Sequence, residues 1–198
     1  MDLSATLKAL SQASGVSGFE SEVRSLIEEQ WKPFVDEFRR DALGNLIALR
    51  RGDAPAGETR RAIMIAAHCD EIGLMVTGVE EGFLRITSVG GVEPQILPGQ
   101  EVTVHGRQAL SGVIGLRPPH LTPASERERP APLDELFVDV GLDQERAQAL
   151  VEVGDAVSLR AEAVELKGER LAGKAMDDRV GVAVAGYCLS LLKEMRHT

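Results

Sequence analysis

The sequence is short of the features that mark several large classes of protein. Aromatic residues make up 4% of its 198 positions, with one Trp and one Tyr, which leaves little surface for stacking nucleic-acid bases or sugars. Basic residues are in the minority: 22 Lys and Arg face 31 Asp and Glu, for a formal net charge of −9. A phosphate-binding face needs the opposite balance, so nucleic acid is not an expected partner. The two cysteines, Cys69 and Cys188, give no disulfide framework. Cys188 falls on the apolar side of a predicted helix and reads as a small core residue. Cys69 reads as a buried, inert thiol that points away from its neighbour His68. No run approaches the roughly 20 apolar residues of a membrane-spanning helix. Met1-Asp2-Leu3-Ser4 lacks the basic-then-apolar order of a secretory signal. These absences predict no membrane association and a cytoplasmic location. Internal repeats and low-complexity tracts are missing too.

What is present is an ordinary globular composition, 43% hydrophobic and 27% charged, sufficient for the cores of one or two domains. Leu3, Leu7 and Leu10 at i, i+4 and i+7 predict a first helix that stops near Gly15. Val23, Leu26, Ile27 and Trp31 predict the inner face of a second, over 20–31, which Pro33 breaks. Two strands, 37–40 and 45–49, flank the turn Asp41-Ala42-Leu43-Gly44. The charged, Pro- and Gly-bearing stretch 51–61 reads as a surface connection. The apolar run Ala62-Ile63-Met64-Ile65 then reads as a buried strand leading into His68.

From residue 74 the texture changes. Short strand-like runs at 74–77, 83–89, 101–104, 111–116, 136–140 and 156–159 alternate with Gly- and Pro-bearing turns, which suggests a small β-barrel or sandwich. A helix near 143–151, with Asp143 as its cap, interrupts them, and 117–133 reads as a long exposed loop. A hairpin or a strand returning to the first domain is expected over 165–174. The last helix carries an apolar stripe of Val180, Val184, Tyr187, Cys188, Leu191 and Met195 at a helical period. The expected organisation is an α/β domain over 1–73, an inserted β-barrel over 74–163, and the α/β domain continued over 164–198. A lone buried strand with no successor makes that domain read as the front half of a larger one.

Chemistry concentrates in two places. His68-Cys69-Asp70 lies at the carboxyl end of the predicted strand, where open α/β sheets place ligands. An imidazole there can bind a divalent ion, with Asp70 ligating beside it or fixing the ring through its other nitrogen. The bland alternative is a buried histidine beside a turn-capping aspartate. Asp177-Asp178-Arg179 opens the last helix, where acidic residues also serve as caps and Arg179 as an ion-pair partner. Imidazole and carboxylate together suit zinc or cobalt, and a shared carboxylate can bridge two ions. The other histidines carry less: His105 reads as solvent-facing in a turn, His120 as a loop residue and His197 as part of the tail.

The chain resembles the M42 family of metal-dependent aminopeptidases, whose members form large tetrahedral assemblies. The resemblance is carried by Gly15-Val16-Ser17-Gly18-Phe19-Glu20, Asp41-Ala42-Leu43-Gly44-Asn45-Leu46, Ala67-His68-Cys69-Asp70-Glu71-Ile72-Gly73, Gly112-Val113-Ile114-Gly115 with Pro118-Pro119-His120-Leu121, Leu136-Phe137-Val138-Asp139-Val140-Gly141, and Ala175-Met176-Asp177-Asp178-Arg179, in the family's order. It implies two divalent ions per complete site, zinc, cobalt or manganese, with His68 ligating one and Asp177 bridging both. It also implies that Asp70 orients His68, that the α/β domain is catalytic and the β-barrel over 74–163 serves assembly and access, that peptides are the substrates, and that the complete protein is a homo-oligomer. The family's base, the first of two adjacent glutamates downstream of the Asp-Asp-Arg motif, has no counterpart here, nor do the later ligands. Glu28-Glu29 and Glu80-Glu81 lie in the wrong order and segments. The expected fold is therefore an incomplete two-metal exopeptidase sheet-and-helix domain with a small inserted β-barrel. Its expected function is removal of N-terminal residues from peptides. The rival reading is a non-catalytic assembly or regulatory fragment acting through the β domain. A glycosidase, which needs two carboxylates flanking a sugar cleft, fits less well.

Overall fold

The first helix starts where a side chain can cap it. In a computed structural model describing residues 1–53, 62–118, 120 and 129–195, the Asp2 carboxylate accepts from the Ala5 N–H and α1 runs over Leu3–Gln12. α2 follows over Ser21–Trp31 and passes into a 3-10 turn at Lys32–Phe34 that contains Pro33. The chain divides into two units, the first comprising Met1–Gly15, Glu20–Asp70 and Glu162–Thr198, the second Val16–Phe19 and Glu71–Ala161. Leu10, Ala13, Val23, Ile27, Val182 and Ala183 form the core of the first. Within it, β1 (Glu37–Arg40) pairs antiparallel with β2 (Leu46–Leu49). The Asp41 carboxylate closes their turn by accepting from the N–H groups of Leu43 and Asn45, as turn aspartates do.

Residues 62–70 have no regular secondary structure. The strand expected at 62–65 does not form: Ile63 and Met64 are 91% and 90% exposed. A buried parallel strand needs a neighbour on each side, and among the described residues no strand lies beside this run.

The second unit is a closed antiparallel barrel. Its strands are β3 (Gly73–Glu80), β4 (Phe83–Val89), β5 (Glu101–His105), β6 (Ala109–Gly115), β7 (Phe137–Asp139) and β8 (Ala156–Leu159), in the order β3-β4-β7-β6-β5-β8. Period-2 alternation fills the interior with Leu74, Val76, Leu84, Ile86, Val102, Val104, Ile114, Val138 and Val157. Between β7 and β8, α3 (Gln144–Leu150) begins at Asp143, whose carboxylate accepts from the Arg146 N–H. His105 is not in a solvent-facing turn. It ends β5, half-buried, with Nε2 2.9 Å from the buried Ser158 hydroxyl. The connection expected at 51–61 and the loop at 117–133 fall largely outside the described residues, as does His197. His120 is exposed.

The chain returns to the first unit through a hairpin of β9 (Val164–Leu166) and β10 (Arg170–Ala172), then α4 (Met176–Lys193). Here the structure corrects the expected face. Arg179, Val182, Ala183, Gly186 and Ser190 are buried, whereas Val180, Val184, Tyr187, Leu191 and Met195 of the apolar stripe are exposed, Met195 at 60%. Close approach decides this. A Cβ on Gly186 would lie 2.2 Å from Trp31 Nε1, so where α4 passes Trp31 only glycine fits.

Candidate metal centre

Two aspartates open α4 and do different jobs. Both have non-helical backbone angles, with Asp177 at φ −90°, ψ 108° and Asp178 at φ −120°, ψ 37°, and the peptide between them is cis. Asp178 is the cap: its Oδ1 accepts from the Gly181 N–H at 3.0 Å, the three-residue reach of an N-cap side chain. Asp177 stands clear of the first turn, its side chain 96% exposed, with Oδ1 3.2 Å from His68 Nε2. The capping role expected of this acidic pair thus falls to Asp178.

His68 joins the two acidic clusters. Its Nδ1 lies 2.9 Å from Asp70 Oδ1, so a neutral ring donating there turns the Nε2 lone pair toward Asp177. Two acceptors then face each other, an arrangement that calls for a proton or a cation between them. Burial pulls the His68 pKa down. The hydrogen bonds to Asp70 and Asp177 and the two negative charges outweigh it, and the imidazole titrates above its ordinary value.

A divalent ion suits the same place. Zinc bonds of about 2.0–2.1 Å at a tetrahedral angle separate two ligand atoms by about 3.3 Å, close to the observed 3.2 Å. Imidazole backed by a carboxylate is a common ligand pair in zinc centres. Tetrahedral structural sites use about four protein ligands and catalytic ones about three. Among the described residues no group of three or more His, Cys, Asp or Glu side chains is placed to hold a metal ion.

The remaining candidates are occupied otherwise. Cys69 is half-buried against the first core. Burial, and then the Glu20 charge, push its thiol up, with Arg179 and Arg24 opposing; it stays protonated and a poor ligand or nucleophile. Glu28 pairs with Arg40 at 2.7 Å and Glu80 with Arg85 at 2.8 Å. Reading the sequence missed the role of Arg179, which is fully buried and donates from Nε to the Cys69 carbonyl at 3.0 Å. The signal was an arginine inside a helix start, and its partners are main-chain oxygens that no residue pattern reveals.

Residues 44–198 match the sequence pattern of the M42 glutamyl aminopeptidases. The chain is 35% identical over 180 residues to the lysyl aminopeptidase of Pyrococcus furiosus, covering 88% of this chain and 50% of that protein. A TET aminopeptidase from the marine sediment archaeon Thaumarchaeota archaeon SCGC AB-539-E09 superposes with a TM-score of 0.88 at 32% identity, over 97% of this chain and 54% of the other. The TET1 peptidase of Pyrococcus horikoshii, described as assembling into a tetrahedron or a large octahedral shell, gives 0.82 at 34% identity, over 98% and 57%. The chain spans about half the length of the relatives it matches.

Proposed function

Because the chain belongs to the M42 glutamyl aminopeptidase family, we propose that it contributes the first part of a two-metal aminopeptidase centre. In this reading His68 is a ligand to one ion, Asp177 bridges two, and Asp70 positions the imidazole. The observation that carries it is the 3.2 Å approach of His68 Nε2 to Asp177 Oδ1 with Asp70 behind the ring. The ions are zinc, cobalt or manganese. When bound, they lower the pKa of a shared water and polarise a scissile carbonyl. The residues present here prepare the place. Asp70 accepts the Nδ1 proton and holds Nε2 outward, and the exposed Asp177 carboxylate offers charge to a cation. The acidic surroundings also favour the free ammonium of a peptide N-terminus over an internal peptide bond.

The general base and the remaining ligands belong, in this proposal, to the length of chain by which the relatives exceed the match. The exposed stripe of α4 and the apolar run 62–65 are the surfaces that such a segment would cover, since large apolar residues in this number are otherwise costly to leave in water. The barrel serves assembly of the complete protein into a homo-oligomer.

The test is calorimetric titration of the chain with zinc or cobalt, alongside release of amino acids from peptides. Weak binding, abolished by His68→Ala and by Asp177→Asn, is expected from the chain alone. Peptide hydrolysis is expected once it is mixed with the remaining half of the Pyrococcus furiosus relative. Binding untouched by either substitution would sink the metal assignment. Metal binding with no hydrolysis in the mixture would favour the rival, non-catalytic reading.

A further inference from the structure

His68 and Asp70 lie on a segment, 62–70, that pairs with no strand among the described residues, the nearest pairing being the isolated bridge of Glu71 to Val16, so ladder hydrogen bonds within the segment do not set where the imidazole sits. A buried side chain reaches that segment. Arg179 Nε donates at 3.0 Å to the Cys69 carbonyl, in the main chain between His68 and Asp70. Its Nη1 donates to the carbonyls of Leu10 and Ala13, and to that of Ser11 at 3.4 Å. These oxygens close the carboxyl end of α1, where helix carbonyls lack partners further along the helix and where the helix dipole favours a cation. Lys174, on the other side of Asp177, also binds the end of α1. Its Nζ donates to the Ala13 carbonyl at 3.0 Å and its own carbonyl accepts from Ser11 Oγ at 2.6 Å. The stretch carrying Asp177 is thus tied to α1 from both sides, and the Arg179 fork extends the tie to the stretch carrying His68. The chain leaves room for this fork: a Cβ on Gly15 would lie 2.7 Å from Arg179 Nη2 and 2.7 Å from Val23 Cγ1.

We propose that Arg179 is the positioning residue of the metal centre, joining the Cys69 carbonyl to the end of α1 from the same helix that bears Asp177 and so setting the His68–Asp177 spacing. This rests on the metal-centre reading given above. Lysine cannot stand in, because an ammonium is a point charge and lacks the planar fork that spans both sets of carbonyls.

The experiment compares Arg179→Lys with Ile27→Ala, which weakens the same core but keeps the fork and its carbonyl partners. Three quantities are read on the full chain: zinc affinity by calorimetry, the visible absorption of the cobalt form, and, without metal, the NMR signal of the His68 Nδ1–H bonded to Asp70. Arg179→Lys is expected to lose at least about tenfold in zinc affinity, the scale seen when groups that orient a ligand are removed. Its cobalt spectrum should change and its Nδ1–H signal broaden, while Ile27→Ala leaves all three as in the unmodified chain. A folded Arg179→Lys with unchanged values overturns the proposal, and so does an equal loss in Ile27→Ala. Should Arg179→Lys not fold, Gly15→Ala crowds the guanidinium while keeping its charge, and the same outcomes apply. If the unmodified chain binds neither metal at His68, the metal-centre reading fails instead, and the metal-free NMR signal still decides on Arg179.

Discussion

A proton and a divalent ion compete for one nitrogen, His68 Nε2, and the two carboxylates around the ring favour both. Since hydrogen bonds and charge from Asp70 and Asp177 raise the pKa of the imidazole against the opposing effect of burial, zinc affinity should fall as pH drops through that raised value and level off above it. The stabilisation from the protonated ring runs the other way. It is fully present below the unfolded-state pKa and is lost as pH rises through the folded one. Zinc titrations across a pH series check the first statement, and thermal melts of the metal-free chain over the same series check the second. Asp70→Asn should weaken zinc binding by about 10- to 100-fold and move the pH midpoint down; an unchanged midpoint would mean that Asp70 does not set the ring's proton affinity. The pairing of His68 with Asp70 was legible in the sequence because the two side chains lie two residues apart, whereas the approach of Asp177, 109 residues away, is set by the fold. Sequence alone left the choice between Asp177 and Asp178 to family resemblance. The geometry separates them by the cap that Asp178 makes to the Gly181 N–H.

Among the elements, α4 is where periodicity misled. A helical stripe of large apolar residues predicts an inward face, yet Arg179, Val182, Ala183, Gly186 and Ser190 are the residues that pack. How near two backbones must come is a tertiary quantity, and the spacing of Val180, Val184 and Leu191 contains none of it. The assignment makes opposite forecasts for the two faces. Ala183→Leu, at a fully buried position, should overpack the core and cost about 1–3 kcal/mol. Leu191→Gln, on a surface position 46% exposed, should stay within about 0.5 kcal/mol. Urea denaturation of the two variants measures both, and reversed costs would restore the stripe to the interior. The barrel strands were easier to read, because short apolar runs such as Val102-Thr103-Val104 are set off by Gly- and Pro-bearing turns within the local sequence. The expected strand at 62–65 failed for the complementary reason: its composition is right, but a strand is completed by partners elsewhere in the chain.

At the level of the whole molecule, the two units differ in how their main chain is satisfied. Amides of β3, β4, β5 and β8 sit in a continuous antiparallel ladder, whereas residues 62–67 lie outside any sheet. Hydrogen exchange should therefore reach 62–67 early and the barrel strands only through large-scale opening. Slow exchange at Ile63 and Met64 would show that the run has found a partner. Because β3 through β8 close on themselves, the barrel has no terminal strand to lend. Anything that recognises the second unit must do so through side chains and loops. Recruitment of another polypeptide by strand addition is left to the first unit, a few residues upstream of the imidazole proposed as a ligand.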